Sequence, residues 1–238
     1  CFGANEVVEF ERRRVTFGQI VPVGSIKNSM WVESGGNAGT QNLPFAYDLC
    51  LISQHRAARI AATSLQNSQF SRCVSQLATY LLDEPDLQVA VAMVYGESTD
   101  GEDYAEERAF FREALGDQVV LFPRDRQPFN VYSIIDQSDV TISTASTAAL
   151  EALARGRKVL LTGDFIDQAL PPPLKDPLWI YSGLDKVRFA DRLNKLRSMP
   201  PSDFWSRESP SITYFMCDPR SMSASQSLRD LVAEHLGS

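Results

Sequence analysis

Four hydroxyl-bearing residues precede a single carboxylate in the segment STASTAALEALARG, residues 143–156. The hydroxyls belong to Ser143, Thr144, Ser146 and Thr147, where a short β-branched run ends and a helical pattern begins. The free amide groups and positive dipole end of a helix N-terminus favour an anion, and hydroxyl groups add donors. The pattern therefore favours phosphate binding, and the alternative is that Ser143 or Thr144 only caps the helix.

Glu151 is the single acidic residue of this helical stretch and is flanked by Leu150 and Ala152. It is not the acid of a capping box, because the residues three positions after Ser146 and Thr147 are Ala149 and Leu150. Its carboxylate either reaches solvent or accepts hydrogen bonds from a ligand. A ribose or sugar diol would supply such a pair of donors.

Short apolar runs alternate with longer helical patterns from about residue 47 onward. Parallel strands need crossover connections, and here the helices provide them. The sequence therefore predicts an α/β fold, a doubly wound and Rossmann-like parallel sheet. The predicted strands are 47–53, 87–96, 119–123, 139–144, 157–163 and 177–182, and the predicted helices are 68–84, 102–115, 129–138, 146–156 and 185–199.

The chain divides by pattern into three parts. Residues 1–46 contain one possible strand, GQIVPVGS, and a Gly/Asn/Ser loop, so we interpret them as a crossover from a preceding unit, which implies a missing N-terminal domain. Residues 47–208 form the predicted Rossmann-like domain. Residues 209–238 are predicted to be irregular as far as 223, with a last helix from about 224.

Ligands of open parallel sheets bind beyond the carboxyl ends of the strands, so each strand exit is a candidate. At the first strand exit, the guanidinium of Arg56 could form a bidentate contact with a phosphate, and His55 could contact a phosphate or the acceptor. The alternatives are that His55 is structural, as a single His more often is, and that Arg56 is only a solvated surface residue. Phe122 and Arg124, at the exit of the predicted strand 119–123, could contact the base of a nucleotide. Lys27 and Asn28 would lie near an interdomain cleft. The first exit comprises Ser53, Gln54, His55 and Arg56.

The composition excludes several function classes. A formal net charge of -7 with scattered Lys and Arg argues against nucleic acid as a partner. The sequence has no GxSxG, Walker or early GxGxxG motif. The acidic residues of 97–107 are explained by a solvated loop and the first turn of a helix, so we expect no metal and no cofactor. These acids are Glu97, Asp100, Glu102, Asp103, Glu106 and Glu107.

Cysteine spacing and hydropathy bear on the compartment. The four cysteines form no CxxC pair, which predicts free thiols in a reducing environment. No apolar run approaches the roughly 18 residues of a spanning helix. We expect a cytoplasmic protein and leave peripheral association with the inner membrane open.

The segment YSIIDQSDVTISTASTAALEALARGRKVLLTG resembles the C-terminal half of GT-B glycosyltransferases, and the likeness covers about residues 47–185. The Ser/Thr-rich turn and YDLCLISQHR look like bacterial surface-carbohydrate and capsule transferases, including those that use CMP-activated sugars such as Kdo. The usual Gly before the Glu is absent, and Lys158 stands where Pro is common. The resemblance implies that the four hydroxyl residues hold phosphate and that Glu151 binds ribose or sugar hydroxyls.

This resemblance implies a glycosyltransferase domain for surface polysaccharide synthesis that binds a nucleotide-activated sugar, such as CMP-Kdo, and a glycan or lipid-linked acceptor. The catalytic base is not identifiable in the sequence. One alternative is a nucleotide-sugar epimerase or glycerophosphate-type transferase of the same fold. A second is a non-catalytic α/β nucleotide-binding or scaffolding module.

Overall fold

A six-stranded parallel sheet forms the centre of the molecule in a computed structural model. The strands β1 to β6 are Tyr47–Ile52, Val89–Ala92, Val119–Phe122, Ser138–Ser143, Lys158–Thr162 and Ile180–Tyr181. The structure describes residues 2–15, 20–36, 44–56, 65–125, 129–144, 146–163 and 176–236.

Nine helices lie within these described ranges. The first two precede the sheet, five connect or follow its strands, and two end the chain. They are α1 Ala4–Arg12, α2 Ile26–Glu33, α3 Leu65–Asp83, α4 Glu97–Leu115, α5 Asn130–Asp136, α6 Thr147–Ala154, α7 Lys186–Ser198, α8 Pro201–Phe215 and α9 Ala224–Leu236.

The strand order is β3-β2-β1-β4-β5-β6, and every pairing is parallel. Strands β2 and β3 are added on one side of β1, and β4, β5 and β6 on its other side, so the switch point lies between β1 and β4. Leu49 of β1 is paired with Val89 of β2 and with Val140 of β4. Strands β2 and β5 are buried throughout, as a sheet covered by helices on both faces requires. The predicted doubly wound, Rossmann-like sheet is confirmed, and its switch point is the expected ligand position.

The prediction that residues 1–46 contain a strand and a loop is wrong in its described part. Residues 20–25 are irregular, and two helices lie in the region. The sequence feature that could have predicted α2 is its N-cap residue, Ser25, whose hydroxyl accepts a hydrogen bond from the amide of Asn28 at 3.2 Å. The helix α1 contains no buried residue.

The prediction that residues 209–223 are irregular is wrong for residues 209–215, because α8 continues to Phe215 with Pro210 inside it, and it is confirmed for residues 216–223. Proline usually breaks a helix interior. Burial of Phe204 and Ile212, both at most 2% exposed, holds the helix on either side of that proline. The last helix begins at Ala224, as expected. The division into 1–46, 47–208 and 209–238 stays a prediction.

A buried polar network fastens α2 to the helices beside β4. Asp136, at the end of α5, accepts from Arg155 at 2.9 Å and from the indole of Trp31 at 2.7 Å. Asn28 receives a hydrogen bond from Arg155 and donates to the carbonyl of Glu151 at 2.9 Å. Because Arg155 is 0% exposed, its positive charge is stabilised by these partners and not by water.

We predict that Asp136→Ala lowers the free energy of unfolding by about 3–5 kcal/mol, because it leaves the Arg155 guanidinium buried without its counter-charge. Urea denaturation measures this loss. Asp117→Ala is the control: its carboxylate is 99% exposed and lies 3.5 Å from Arg112, so we expect a change below about 1 kcal/mol. Equal losses in both variants would contradict the role of the network.

Buried thiols lead to a second prediction. Burial raises the pKa of Cys50 to about 12 and that of Cys73 to about 11, whereas Cys217 is only partly buried. Since the thiolate is the reactive form, we expect iodoacetamide at pH 8 to modify Cys217 well before Cys50 or Cys73 in the native protein. Peptide mass mapping measures the extent of modification at each cysteine separately, and we expect all three cysteines to react in urea. Rapid native labelling of Cys50 would refute this assignment.

Candidate functional site

A cavity of about 390 Å³ opens at the carboxyl ends of β1, β2 and β3, beside the first turns of α5 and α6. It shares four residues with a neighbouring cavity of about 800 Å³. The shared residues are Phe122, Arg124, Asp125 and Asn130. The cavity therefore lies at the switch point of the sheet, where open α/β folds bind ligands.

Apolar side chains form the floor of this cavity and polar groups form its rim. The floor includes Ile52, Ala92 and Met93, which are at most 6% exposed. The rim contains the side chains of Lys27, Arg124, Asp125, Asn130 and Ser146. An apolar floor with a few convergent polar groups is typical of small-molecule sites.

The hydroxyl cluster is divided between this cavity and the protein interior. Ser146 is the N-cap of α6, in extended conformation and without a side-chain cap bond, and it lines the cavity with Ala148. The buried Ser143 hydroxyl accepts from the Ser146 amide at 3.3 Å. Buried Thr144 donates to the side chain of Gln54, and Thr147 is exposed. Ala145 lies outside the described residues.

The loop after β1 turns its polar groups mainly toward α4. Ser53 donates to the carboxylate of Glu107, and the amide of His55 donates to the Ser53 hydroxyl at 3.1 Å. The His55 ring stacks on Phe110 with centroids 4.8 Å apart, and its Nε2 lies 3.6 Å from a carboxylate oxygen of Glu106.

Among residues 53–56, the described part of this loop, only Arg56 is exposed. Ser53, Gln54, His55 and Arg56 do not line the switch-point cavity among the described residues, so their ligand role stays a prediction.

The loops after β2 and β3 meet at Gly96. A Cβ added there would lie 2.3 Å from the carbonyl oxygen of Arg124, so only glycine fits this close approach. The Asp100 carboxylate accepts from the Gly96 amide at 2.7 Å and from the Thr99 hydroxyl at 2.6 Å, and these bonds lower its pKa. Phe122 and Arg124, predicted to frame a base, both line the cavity. Arg126 and Asp164 lie outside the described residues.

The interpretation of the acidic residues as solvated is wrong for two of them. Glu107 is 0% exposed and Asp103 is 8% exposed. Glu107 accepts from the amides of Val94 and Tyr95, both at 3.0 Å, in addition to Ser53. It therefore fixes the backbone just after β2, beside the cavity. Among the described residues no group of three or more His, Cys, Asp or Glu is arranged to hold a metal ion.

Glu151 is 4% exposed, and hydroxyl groups from two other elements donate to it. Ser25 donates to one carboxylate oxygen and Tyr132 to the other. Burial, followed by the charge of Glu151, raises the pKa of Tyr132, so this phenol stays protonated as a donor. Glu151 does not reach solvent freely, but it borders a mainly apolar cavity of about 1070 Å³ that Ser25 and Lys27 also line.

Sequence reasoning missed Ser25 and Tyr132 because both are distant from Glu151 along the chain. Lys27 was expected near a cleft, and it lines the cavities of about 390 Å³ and about 1070 Å³. Its ammonium lies 5.1 Å from the centroid of the Tyr132 ring. Asn28 was expected there too, but it is fully buried in the polar network. In the part of the chain that the structure describes, no helix is long and apolar enough to cross a membrane.

We predict that Glu107→Ala lowers the free energy of unfolding by about 2–4 kcal/mol, because the amides of Val94 and Tyr95 and the buried Ser53 hydroxyl lose their acceptor. Glu113→Ala on the same helix is a matched control with equal helix propensity, and its exposed side chain should change stability by less than about 0.5 kcal/mol. Chemical denaturation compares the two. A small, equal effect would show that Glu107 does not hold the loop.

Comparisons with known proteins reveal likeness in fold. No protein-family model and no curated protein matches the sequence. Among solved structures, the chain is similar to the S. aureus MnaA-UDP co-structure, with 11% identity and a TM-score of 0.62 over 98% of this chain and 60% of that one. It is also similar to a UDP-N-acetylglucosamine 2-epimerase, with 14% identity and a TM-score of 0.60 over 98% and 56%.

A glycosyltransferase from Rickettsia africae gives 13% identity and a TM-score of 0.52 over 98% of this chain and 62% of that one. The chain thus spans 56% to 62% of the length of these three structures. At such identities the likeness concerns the fold alone. The chain has the Rossmann-like α/β fold of GT-B proteins.

Proposed function

We propose that the chain is the nucleotide-binding half of a GT-B enzyme that acts on a nucleotide-activated sugar. The observation that carries the proposal is the cavity at the switch point, with its apolar floor and its polar rim beside the N-terminus of α6. A base needs flat apolar contacts, and a diphosphate needs amide groups and cations. This cavity offers both within one volume of about 390 Å³.

The phosphate end of the ligand would lie at Ser146, where the first-turn amides of α6 and the helix dipole favour negative charge. Lys27 and Arg124 on the rim add two cations to a chain whose formal net charge is -7. The same groups would stabilise the charge that develops on a leaving phosphate. Arg56, which is exposed four residues after the end of β1, is proposed as a further contact.

The transfer of sugar to a surface polysaccharide is the reaction we favour, with CMP-Kdo as one candidate donor, a glycan or lipid-linked acceptor, and peripheral contact with the inner membrane. The motif resemblance supports this choice. An epimerase acting on a UDP-sugar is the second candidate, because one structural neighbour is named as such an enzyme and another was determined with UDP. The third is a non-catalytic nucleotide-binding module.

A thermal-shift panel of CMP, UDP, GDP and ADP tests the shared step of these candidates. A nucleotide present at 100 times its Kd should stabilise the fold by about 2.7 kcal/mol. Stabilisation by UDP alone would exclude the CMP-sugar version. Failure of all four nucleotides would overturn the proposal.

Arg124→Ala tests the position of the site. We expect about 10-fold weaker nucleotide binding by calorimetry, equivalent to about 1.4 kcal/mol, because one charged contact to the ligand is lost. Arg13→Ala is closely matched: each arginine lies 3.5 Å from one carboxylate, with 70% exposure for Arg13 and 59% for Arg124. Equal weakening by both variants would move the site away from this cavity.

The reaction itself is read by proton NMR of a nucleotide sugar incubated with the protein. Transfer or hydrolysis releases free nucleotide, whereas epimerisation changes the sugar signals and leaves the nucleotide linkage intact. A protein that binds nucleotide and does neither fits the non-catalytic module.

A further inference from the structure

A cavity of about 560 Å³ lies at the edge of the sheet, where residues of β6, α7 and α8 line it. We call it the edge cavity. Among the described residues it shares no lining residue with the switch-point cavity, and β6 is three positions from β1 in the sheet. Its volume is in the range of small-molecule sites. A ligand of the edge cavity would therefore not compete with one at the switch point.

Positive charge dominates the lining of the edge cavity. Four basic and two acidic residues line it, in a chain whose formal net charge is -7. Arg188, Arg192 and Lys195 are spaced by four and three positions on α7, so they share one face of this helix. The fourth basic residue is Arg207 of α8, and the acidic residues are Asp176 and Asp191. Such a cluster of cations in a concave wall favours an anionic ligand.

Arg192 is used by the fold itself. Its guanidinium donates to the carbonyl oxygens of Pro177, at 2.6 Å, and of Ile180, and to the carboxylate of Asp176 at 2.5 Å. Among the described strands β6 pairs only with β5, so these bonds cover backbone beside an open edge of the sheet. Arg192 thus fixes the wall of the edge cavity, and Asp176 balances its charge.

Arg188 and Lys195 are the cations that remain for a ligand. Both are exposed, and among the described residues neither side chain has a hydrogen-bond or ion-pair partner. Arg207, by comparison, lies 2.9 Å from a carboxylate oxygen of the buried Glu208. Two helical turns, about 10 Å of rise, separate Arg188 from Lys195. A ligand with two separated negative groups would therefore meet one cation near each end.

Asp191 lies on the same face of α7, between these two cations, and it also lines the edge cavity. It is exposed, and it forms no ion pair with a described residue. A carboxylate accepts hydrogen bonds and repels a second anion. The middle of the ligand should therefore carry hydroxyl groups rather than negative charge.

We propose that the edge cavity binds a small phosphorylated polyol, such as a sugar bisphosphate. Its phosphate groups contact Arg188 and Lys195 through charge-assisted hydrogen bonds, and one of its hydroxyl groups donates to Asp191. Because the cations line a cavity rather than a protruding face, they suit a small soluble ligand better than a headgroup held in a bilayer.

Lysine labelling with mass mapping tests where such a ligand binds. Fructose 1,6-bisphosphate, added before acetic anhydride, should slow the acetylation of Lys195 by about 5-fold, because its phosphate covers the ammonium group. Lys186 is the control, since it is exposed on the same helix and does not line the edge cavity. Its acetylation should stay unchanged. Slower acetylation of Lys27 without an effect on Lys195 would place the probe in the switch-point cavity and overturn the inference.

Calorimetry of charge-matched variants tests the contacts. The double variant Arg188→Gln with Lys195→Gln should bind fructose 1,6-bisphosphate about 100-fold more weakly, because two charge-assisted contacts are lost. The control, Lys186→Gln with Arg229→Gln, removes the same charge from exposed residues outside the edge cavity and should weaken binding by less than about 2-fold. Asp191→Ala should weaken the binding of fructose 1,6-bisphosphate about 3-fold and should not weaken that of pyrophosphate, which has no hydroxyl group to donate.

Four results would overturn the inference. One is the absence of fructose 1,6-bisphosphate binding, and another is equal weakening by the two double variants, which would indicate unspecific attraction. Tighter binding of both probes by Asp191→Ala would show that Asp191 only repels anions. Binding to phosphatidylglycerol vesicles that is lost in Arg188→Gln with Lys195→Gln, without binding of the sugar bisphosphate, would assign this face to a membrane surface. None of these results bears on nucleotide binding at the switch point.

Discussion

The structure depends on the neutralisation of one buried cation, the guanidinium of Arg155. It is fully buried beside Tyr132 and is balanced by Asp136 at 2.9 Å. A charge at this depth is tolerated only with a partner of opposite sign. That requirement draws α2, α5 and α6 together, because Asn28, Asp136 and Arg155 each belong to one of them or to its end.

This network also determines what Glu151 can do. Asn28 binds the backbone of Glu151, and Tyr132, packed against Arg155, donates to its side chain. A carboxylate in an apolar helix is thereby stabilised without a direct ion pair. The same arrangement leaves Glu151 at the border of the cavity of about 1070 Å³. Structural and proposed functional roles of this residue are therefore compatible, because a carboxylate offers more acceptor positions than two donors occupy.

The candidate site is built from backbone as much as from side chains. Glu107 and Asp100 hold the turn after β2, and Gly96 allows that turn to touch the loop after β3. These carboxylates belong to a stretch that looks like a solvated acidic run in the sequence. Their hydrogen bonds to backbone amides indicate that they shape the cavity indirectly, while the cavity rim itself carries Lys27 and Arg124.

The sequence by itself determined the presence of the sheet and the parallel direction of its strands, because buried strands and amphipathic helices have characteristic periodicities among neighbouring residues. The order of the strands, and with it the switch point, came from the tertiary structure. The sequence also located the exits of β3 and β4, and Phe122, Arg124 and Ser146 line the cavity as expected.

Only the tertiary structure decided which polar groups face that cavity and which pair with one another. Ser25 lies 126 positions from Glu151 and Ser53 lies 54 positions from Glu107, and no local pattern encodes such pairs. The helix α8 was missed for a related reason, because contacts with the distant core hold it across Pro210. Hydrogen bonds and packing between remote segments depend on how the whole chain folds, which is why they had to be observed.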